Sequence, residues 1–211
     1  MTNVKIYESV TAYLLEGFKI FKSKNPDSNA KLLLHTHWLE GWDINKLISE
    51  KGIDRSDILT TYVCSNCGSY HISPYQGQKK DCRNCGSKET VNTTNTRKGV
   101  SEKQLNEIYN LMDLYCHPFT SGGQEIPIQE AKLTELVTLV TDYSCGVDNC
   151  TEESGGIPLN WSEYREPGTQ FIKASTCANS IANQIEKVHA MPSSQKSEMG
   201  KIARQWVIDN F

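Results

Sequence analysis

Two cysteine motifs constrain this chain more than any other feature of its sequence. Segments 64–68 and 82–86 both read Cys-x-x-Cys-Gly. Each motif supplies two thiolates from one tight turn, and four sulfur ligands complete the tetrahedral shell of a structural zinc ion. A redox-active pair or two local disulfides are the alternatives, but a redox motif needs only one such pair. The predicted zinc ligands are Cys64, Cys67, Cys82 and Cys85.

The segment that carries these motifs has too few apolar side chains to form much of a hydrophobic core. Residues 64–96 are mainly Cys, Gly, Asn, Ser, Thr and Lys, so this segment is predicted to be a small zinc ribbon held together by its metal. A site closed by four sulfurs has no open position for catalysis, and His71 is a spare ligand candidate. The aromatic and basic side chains of the ribbon could face single-stranded nucleic acid or a protein partner, although a solvated surface is the simpler interpretation.

Helical and strand patterns alternate on both sides of the ribbon. Helical periodicity covers residues 7–24, and Asp43 and Gly52 mark the ends of a second helix. Ser101 and Gln104 form a capping-box pattern that starts another helix. Strands are predicted at residues 31–35, 58–63, 113–116 and 136–141. This alternation predicts an α/β fold with a doubly wound parallel sheet, whose ligand site lies at the carboxyl ends of the strands.

The C-terminal part of the sequence is predicted to contain a long loop. Beyond Asp142 a stretch of roughly twenty-five residues contains many Gly, Pro and Cys residues, which is typical of a functional loop. A last short strand is predicted at residues 170–173, and two helices follow it.

Charge and hydropathy exclude several classes of protein. The 211 residues include 22 Lys and Arg against 25 Asp and Glu, a net charge of −3 that argues against a protein that coats nucleic acid. No run approaches the ~18 apolar residues of a membrane span, and the polar N-terminus lacks the apolar stretch of a signal peptide. A cytoplasmic location is therefore predicted.

A second candidate site follows the predicted strand at residues 113–116. Gly122 and Gly123 precede a helix whose first turn contains Pro127. Adjacent glycines let backbone amides converge on an anion, and the positive end of the helix dipole favours the same ligand. Glu130, about one turn into this helix, can accept hydrogen bonds from ribose hydroxyls. The pattern predicts a site for a diphosphate.

Other polar side chains have less specific interpretations. His35 and His37 follow a predicted strand and are either donors to a diphosphate or structural histidines. Cys145 and Cys150 match no closed ligand set and are interpreted as small buried hydrophobic residues. Trp38 is predicted to serve in packing or at an interface with a second half of the protein.

The segment from residue 111 to residue 141 resembles the donor-binding segment of retaining family 4 glycosyltransferases, which have the GT-B fold. It contains Leu-Tyr-Cys-His-Pro at 114–118 and Gly-Gly-Gln-Glu-Ile-Pro-Ile-Gln-Glu-Ala at 122–131. The resemblance covers nearly the whole chain except the ribbon. It implies a Rossmann-like C-terminal GT-B half, made of residues 1–63 and 97–211, with the zinc ribbon inserted as residues 64–96.

The resemblance also implies roles for individual residues. Glu130 falls on the second glutamate of the family's Glu-x7-Glu motif, which holds the donor ribose. The first glutamate falls on Gly122, and Glu125 is the nearest carboxylate but stands in another register. Lys5 is a candidate for one member of the family's basic pair. The implied donor-binding residues are Gly122, Gly123, Glu125, Ile126 and Glu130; no catalytic residue is predicted.

These residues imply the nucleotide-sugar-binding domain of a glycosyltransferase of hexosyltransferase type, which takes a sugar from a nucleoside-diphosphate donor. The half that carries the acceptor site is absent from the sequence, so both ends are expected to be cut and the chain alone is expected to be inactive. The alternative is a non-catalytic zinc-ribbon interaction module on a degenerate glycosyltransferase scaffold. The glycine at position 122 favours the alternative, and the intact run from Gly122 to Ala131 opposes it.

Overall fold

A computed structural model of the chain describes residues 8–39, 42–95 and 97–211, except for the side chains of residues 8–10. Lys5 lies outside the described residues. The chain divides into two compact units. Of the described residues, unit 1 contains 27–107, and unit 2 contains 8–26 and 108–211.

The described residues form α-helices and short β-strands in alternation. The helices are α1 (Glu8–Lys24), α2 (Ile44–Lys51), α3 (Glu102–Tyr109), α4 (Ile126–Leu133), α5 (Gly146–Asn149), α6 (Ala178–Ala190) and α7 (Ser193–Asn210). The strands are β1 (Leu32–Leu34), β2 (Ile58–Cys64), β3 (Tyr70–Pro74), β4 (Val91–Thr93), β5 (Leu114–His117), β6 (Val137–Thr141), β7 (Gly156–Leu159), β8 (Trp161–Arg165) and β9 (Ile172–Thr176). None of the described helices is both long and apolar enough to cross a lipid bilayer.

Unit 1 is built around strand β2. This strand pairs in parallel with β1, with Leu32 opposite Ile58, and antiparallel with β3 and β4. The predicted ends of α2 are confirmed: the Asp43 carboxylate accepts a hydrogen bond from the Lys46 amide at 3.0 Å, and Gly52 adopts a left-handed φ of 63°. Strands β3 and β4 extend the sheet into the ribbon, where a small core forms from Tyr62, Cys64, Cys82 and Val91.

Unit 2 contains a parallel sheet in the order β5-β6-β7. Its core lies between this sheet and α6 and consists of Val137, Leu139, Ile157, Leu159, Ile181, Val188 and Met191. The parallel pairing of short strands, with helices between them in the sequence, confirms the predicted α/β class.

The prediction of a long loop after Asp142 is wrong. This region holds α5, β7 and β8, and the strand predicted at residues 170–173 is β9, at Ile172–Thr176. Strand β7 reads Gly-Ile-Pro-Leu, and its proline obscures the strand pattern in the sequence. Proline is compatible with this position because β7 is the edge of its sheet. Strands β8 and β9 form an antiparallel hairpin whose turn includes Gly168 at a φ of 89°.

Unit 2 contains a lysine that is fully buried. The Lys132 amine donates to the backbone carbonyls of Asn149 (2.9 Å) and Ser154 (2.8 Å) and lies 4.3 Å from the centre of the Trp206 ring. Burial lowers the pKa of Lys132 from 10.5 to about 8. Because a neutral amine still has two N–H groups for these two carbonyls, Lys132 connects α4 to the end of α5 and to the segment before β7 in either charge state.

The stability of the protein is expected to depend on pH through Lys132. Between its pKa of about 8 and the ordinary value of 10.5, the folded chain has released the Lys132 proton while the unfolded chain still binds it. The free energy of unfolding therefore rises with pH across this window. Lys132→Met leaves two buried carbonyls without the Lys132 donor and is expected to destabilise the fold by about 1–3 kcal/mol at neutral pH. The variant is also expected to lose the increase in the free energy of unfolding between pH 8 and 10.5.

Urea unfolding at neutral and alkaline pH checks this prediction. The control is Lys201→Met, which removes an exposed lysine. A Lys132→Met protein that is as stable as the control, with the same pH dependence, would contradict it.

Candidate functional site

The four cysteines of the two predicted motifs lie together in unit 1. Their sulfur atoms are all within 4.8 Å of one another, with 3.9 Å from Cys64 Sγ to Cys85 Sγ and 3.8 Å from Cys67 Sγ to Cys82 Sγ. A tetrahedron with metal–sulfur bonds of about 2.3 Å has edges of about 3.8 Å. All four thiols are free, since none forms a disulfide. The cluster could therefore bind a metal ion.

The two motifs fold in the same way. Gly68 and Gly86 have φ angles of 71° and 72°, and each donates its amide to the carbonyl of the first cysteine of its motif. Hydrogen bonds from the Thr90 hydroxyl and neighbouring backbone amides lower the pKa of Cys64 to about 5, and those from Ser87 and its surroundings lower the pKa of Cys85 to about 7. These two cysteines therefore offer thiolates, the form that binds metal.

The glycine pair of the second candidate site leads into α4. Helix α4 begins at Ile126 with Pro127 in its first turn, as predicted, and its N-cap residue Glu125 makes no side-chain capping bond. Ser144 holds the preceding loop, because its hydroxyl donates to the Gly122 carbonyl at 2.7 Å. The exposed Gly123 lies next to it. The positive end of a helix such as α4 favours an anion.

The carboxylate of Glu125 turns back from α4 toward Gly122. Its Oε1 lies so close that a Cβ on Gly122 would collide with it. Its Oε2 lies 3.2 Å from Nε2 of His117, and the two side chains are only 16% and 14% exposed. Because residue 122 is a glycine, the space next to its backbone is free for the Glu125 carboxylate.

Glu130 also has a fixed orientation. Its Oε2 accepts a hydrogen bond from the Tyr109 hydroxyl at 3.1 Å. Burial and the neighbouring Glu130 carboxylate raise the pKa of Tyr109, so the phenol stays protonated and donates. The structure therefore places two carboxylates, from Glu125 and Glu130, around the first turn of α4.

A matched pair of glycine variants tests this geometry. Gly122→Ala is expected to push the flexible Glu125 carboxylate away from His117, whereas a Cβ on Gly123 would meet no atom within 4 Å. NMR signals of the His117 ring and the Glu125 carboxylate should shift in Gly122→Ala and not in Gly123→Ala, with a change in stability below about 1 kcal/mol in each. Equal shifts in the two variants would contradict the arrangement.

Other sequence candidates have structural partners. The His35 ring is hydrogen-bonded to the Thr61 hydroxyl at 3.0 Å, and the His37 ring accepts from the Leu39 amide at 3.2 Å. Trp38 is buried, as predicted for a packing residue, and stacks on Tyr75 with ring centres 4.2 Å apart.

The thiols outside the metal cluster are free as well. Burial raises the pKa of Cys145 to about 11 and those of Cys116 and Cys150 to about 12, so these thiols stay protonated at neutral pH.

Sequence reasoning missed three side chains that orient the carboxylates: Tyr109, Tyr115 and His117. Tyr115 and His117 are two residues apart on β5, and this spacing places them on the same face of a strand. The alternation is a usable signal, but the prediction of a short strand at residues 113–116 does not use it.

No family model matches the sequence, and no curated protein matches it. A search of solved structures finds a similar fold in a glycosyltransferase from Rickettsia africae ESF-5, with a TM-score of 0.55 and 14% sequence identity. This chain has a glycosyltransferase-like fold. The match covers 95% of the present chain and 40% of the Rickettsia chain, so the present chain spans less than half the length of that structure.

Proposed function

We propose that this chain is the donor-binding domain of a glycosyltransferase and binds a nucleoside-diphosphate sugar at the start of α4. The observation that carries the proposal is the combination found there: a helix N-terminus without a side-chain cap, which follows Gly122 and Gly123 and is flanked by the carboxylates of Glu125 and Glu130. Amides at a helix N-terminus bind phosphate, and carboxylates accept hydrogen bonds from sugar hydroxyls. The glycosyltransferase-like fold supports the same proposal.

Each part of the ligand has a partner in this arrangement. The amides from Gly123 to Ile126 hold the diphosphate, and Glu130 holds the ribose. In sugar transfer the diphosphate is the leaving group, and the helix N-terminus stabilises the negative charge that develops on it. We assign the chain to the retaining family 4 GT-B enzymes on the resemblance of residues 111–141. The acceptor site is then supplied by a further domain, in keeping with the 40% coverage of the solved glycosyltransferase.

The ribbon has a different proposed role. The cysteine cluster binds one zinc ion, which stabilises residues 64–96 and takes no part in sugar transfer. Four thiolate ligands at the observed sulfur separations suit zinc, and the closed ligand set leaves no coordination position for water.

An NMR titration tests the proposed function. The probes are UDP, GDP and ADP, the corresponding nucleoside monophosphates, and UDP-glucose, GDP-mannose and ADP-glucose. We expect one base to be preferred, the diphosphate to bind more tightly than the monophosphate, and the affected amides to lie at residues 122–130. The expected dissociation constant is on the order of 10⁻⁴ M or weaker, because one domain provides only part of a GT-B cleft.

The monophosphates serve as the control for non-specific binding of nucleotides. Absence of binding by every nucleotide, or shifts confined to the ribbon, would contradict the proposal. Shifts confined to the ribbon would instead favour an interaction module on a glycosyltransferase-like scaffold.

A further inference from the structure

Each cysteine motif carries an asparagine whose side chain contacts the other motif. Asn66 and Asn84 occupy the same position in their motifs, directly before the second cysteine. The side-chain amide of Asn66 donates to Cys85 Sγ at 3.6 Å, and that of Asn84 donates to Cys67 Sγ at 3.5 Å. Sulfur is a larger acceptor than oxygen, so its hydrogen bonds are longer. The two contacts are therefore reciprocal, and each connects one motif to the second cysteine of the other.

These side-chain amides donate to the two cysteines of the cluster that solvent can reach. Cys67 and Cys85 are exposed, whereas Cys64 and Cys82, the first cysteines of the motifs, are buried. A thiolate leaves a metal ion when a proton or a competing reagent reaches its sulfur, because only the deprotonated form is a ligand. The exposed pair is therefore the part of the ligand set at which loss of the ion begins.

The asparagine amides differ in kind from the hydroxyls around the same sulfurs. The Ser69 hydroxyl lies 3.1 Å from Cys67 Sγ, and the Ser87 hydroxyl lies 2.9 Å from Cys85 Sγ. A hydroxyl has one proton and can also accept, whereas an amide nitrogen only donates. Four thiolates around a divalent cation carry a net charge of −2, so groups that only donate stabilise the metal-bound state.

We infer that Asn66 and Asn84 are positioning residues of the metal site, which hold the exposed thiolates of Cys85 and Cys67 in the ligand set from the opposite motif. The inference rests on the zinc site proposed for the ribbon. Each amide withdraws electron density from the sulfur that it contacts, and this slows the reaction of that sulfur with protons and electrophiles. The same contacts keep the two motifs together around the ion.

Zinc affinity tests whether the asparagines act as donors. Asn66→Ala removes the donor, and Asn66→Asp keeps the size of the side chain but replaces the donor by a carboxylate that repels thiolates. We expect the dissociation constant for zinc to rise roughly tenfold in Asn66→Ala and further in Asn66→Asp, with the same order at Asn84. The measurement is competition between the reduced chain and a chelator of known affinity. Ser65→Ala, an exposed position in the same turn, is the control and should bind zinc like the unmodified chain.

Alkylation of the chain in excess zinc tests the crosswise direction of the contacts. Asn66→Ala is expected to speed the alkylation of Cys85 several-fold, and Asn84→Ala that of Cys67, as measured by mass spectrometry of the digested chain. A change of backbone within the substituted turn would instead expose the cysteine next to the substitution. The identity of the modified cysteine therefore separates positioning from a local structural role.

The outcomes are distinct for the site and for the asparagines. Asn66→Asp that binds zinc as tightly as the unmodified chain would overturn the inference, because only the size of the side chain would then matter. Alkylation that rises at the adjacent cysteine would also overturn it. A reduced unmodified chain that takes up no zinc would overturn the zinc site itself. Zinc binding by that chain, with asparagine variants equal to Ser65→Ala, would overturn this inference alone.

Discussion

Removal of the metal is expected to unfold the ribbon, residues 64–96, and to leave the parallel sheet of unit 2 folded. Among the described residues, the ribbon shares with Tyr62 a small core of Cys64, Cys82 and Val91, and both of these cysteines belong to the cluster that could hold the metal. Structural zinc sites contribute about 10–16 kcal/mol to the folding of comparably small modules. Hydrogen exchange on the reduced chain, with and without a chelator, measures the effect. Amides of β3 and β4 should lose protection, while those of β6 keep it.

A pair of cysteine variants provides the control for this experiment. Cys67 and Cys177 are both exposed, but only Cys67 belongs to the cluster. Cys67→Ser is expected to reduce metal binding and loosen the ribbon even without chelator, and Cys177→Ser is expected to leave both as they are. Protection in β3 and β4 that is insensitive to chelation, or a reduced chain that contains no zinc, would contradict the account of the ribbon.

Glu130→Ala is expected to weaken nucleotide binding by about 1–3 kcal/mol, a factor of roughly 5 to 150 in the dissociation constant. The carboxylate is already oriented by Tyr109, so its hydrogen bonds to ribose hydroxyls form without further ordering. The measurement is an NMR titration of the variant and the unmodified chain with the preferred nucleoside diphosphate.

Gln129→Ala is the matched control for Glu130→Ala. It truncates the preceding side chain on the same helix, which points about 100° away around the helix axis. Equal dissociation constants for Glu130→Ala and Gln129→Ala would exclude Glu130 from the nucleotide site.

Features of the fold that depend on neighbouring residues could be predicted from the sequence. The ends of α2 depend on Asp43 and Gly52, which act within one helical turn, and the capping box at Ser101 and Gln104 is present as predicted. The cysteine cluster was equally predictable, because the spacing of metal ligands within a tight turn is a local property.

Features that depend on distant partners could not be predicted in the same way. Strand β7 forms because β6 offers it an unpaired edge, and nothing within the segment Gly-Ile-Pro-Leu indicates that edge. The position of Glu125 has the same origin. In the sequence, Glu125 stands three residues after the position where the family has its first glutamate, which is Gly122 here. In the structure, the Glu125 side chain nevertheless reaches back to Gly122, and its carboxylate contacts His117 on β5.

A crystal structure of the chain with its preferred nucleoside-diphosphate sugar tests the central claim most directly. The account predicts that the diphosphate lies within hydrogen-bonding distance of backbone amides from Gly123 to Ile126. It also predicts that the ribose hydroxyls contact Glu130 and that a hydroxyl of the sugar contacts Glu125. A ligand bound on the ribbon, or one whose diphosphate lies away from the start of α4, would contradict it.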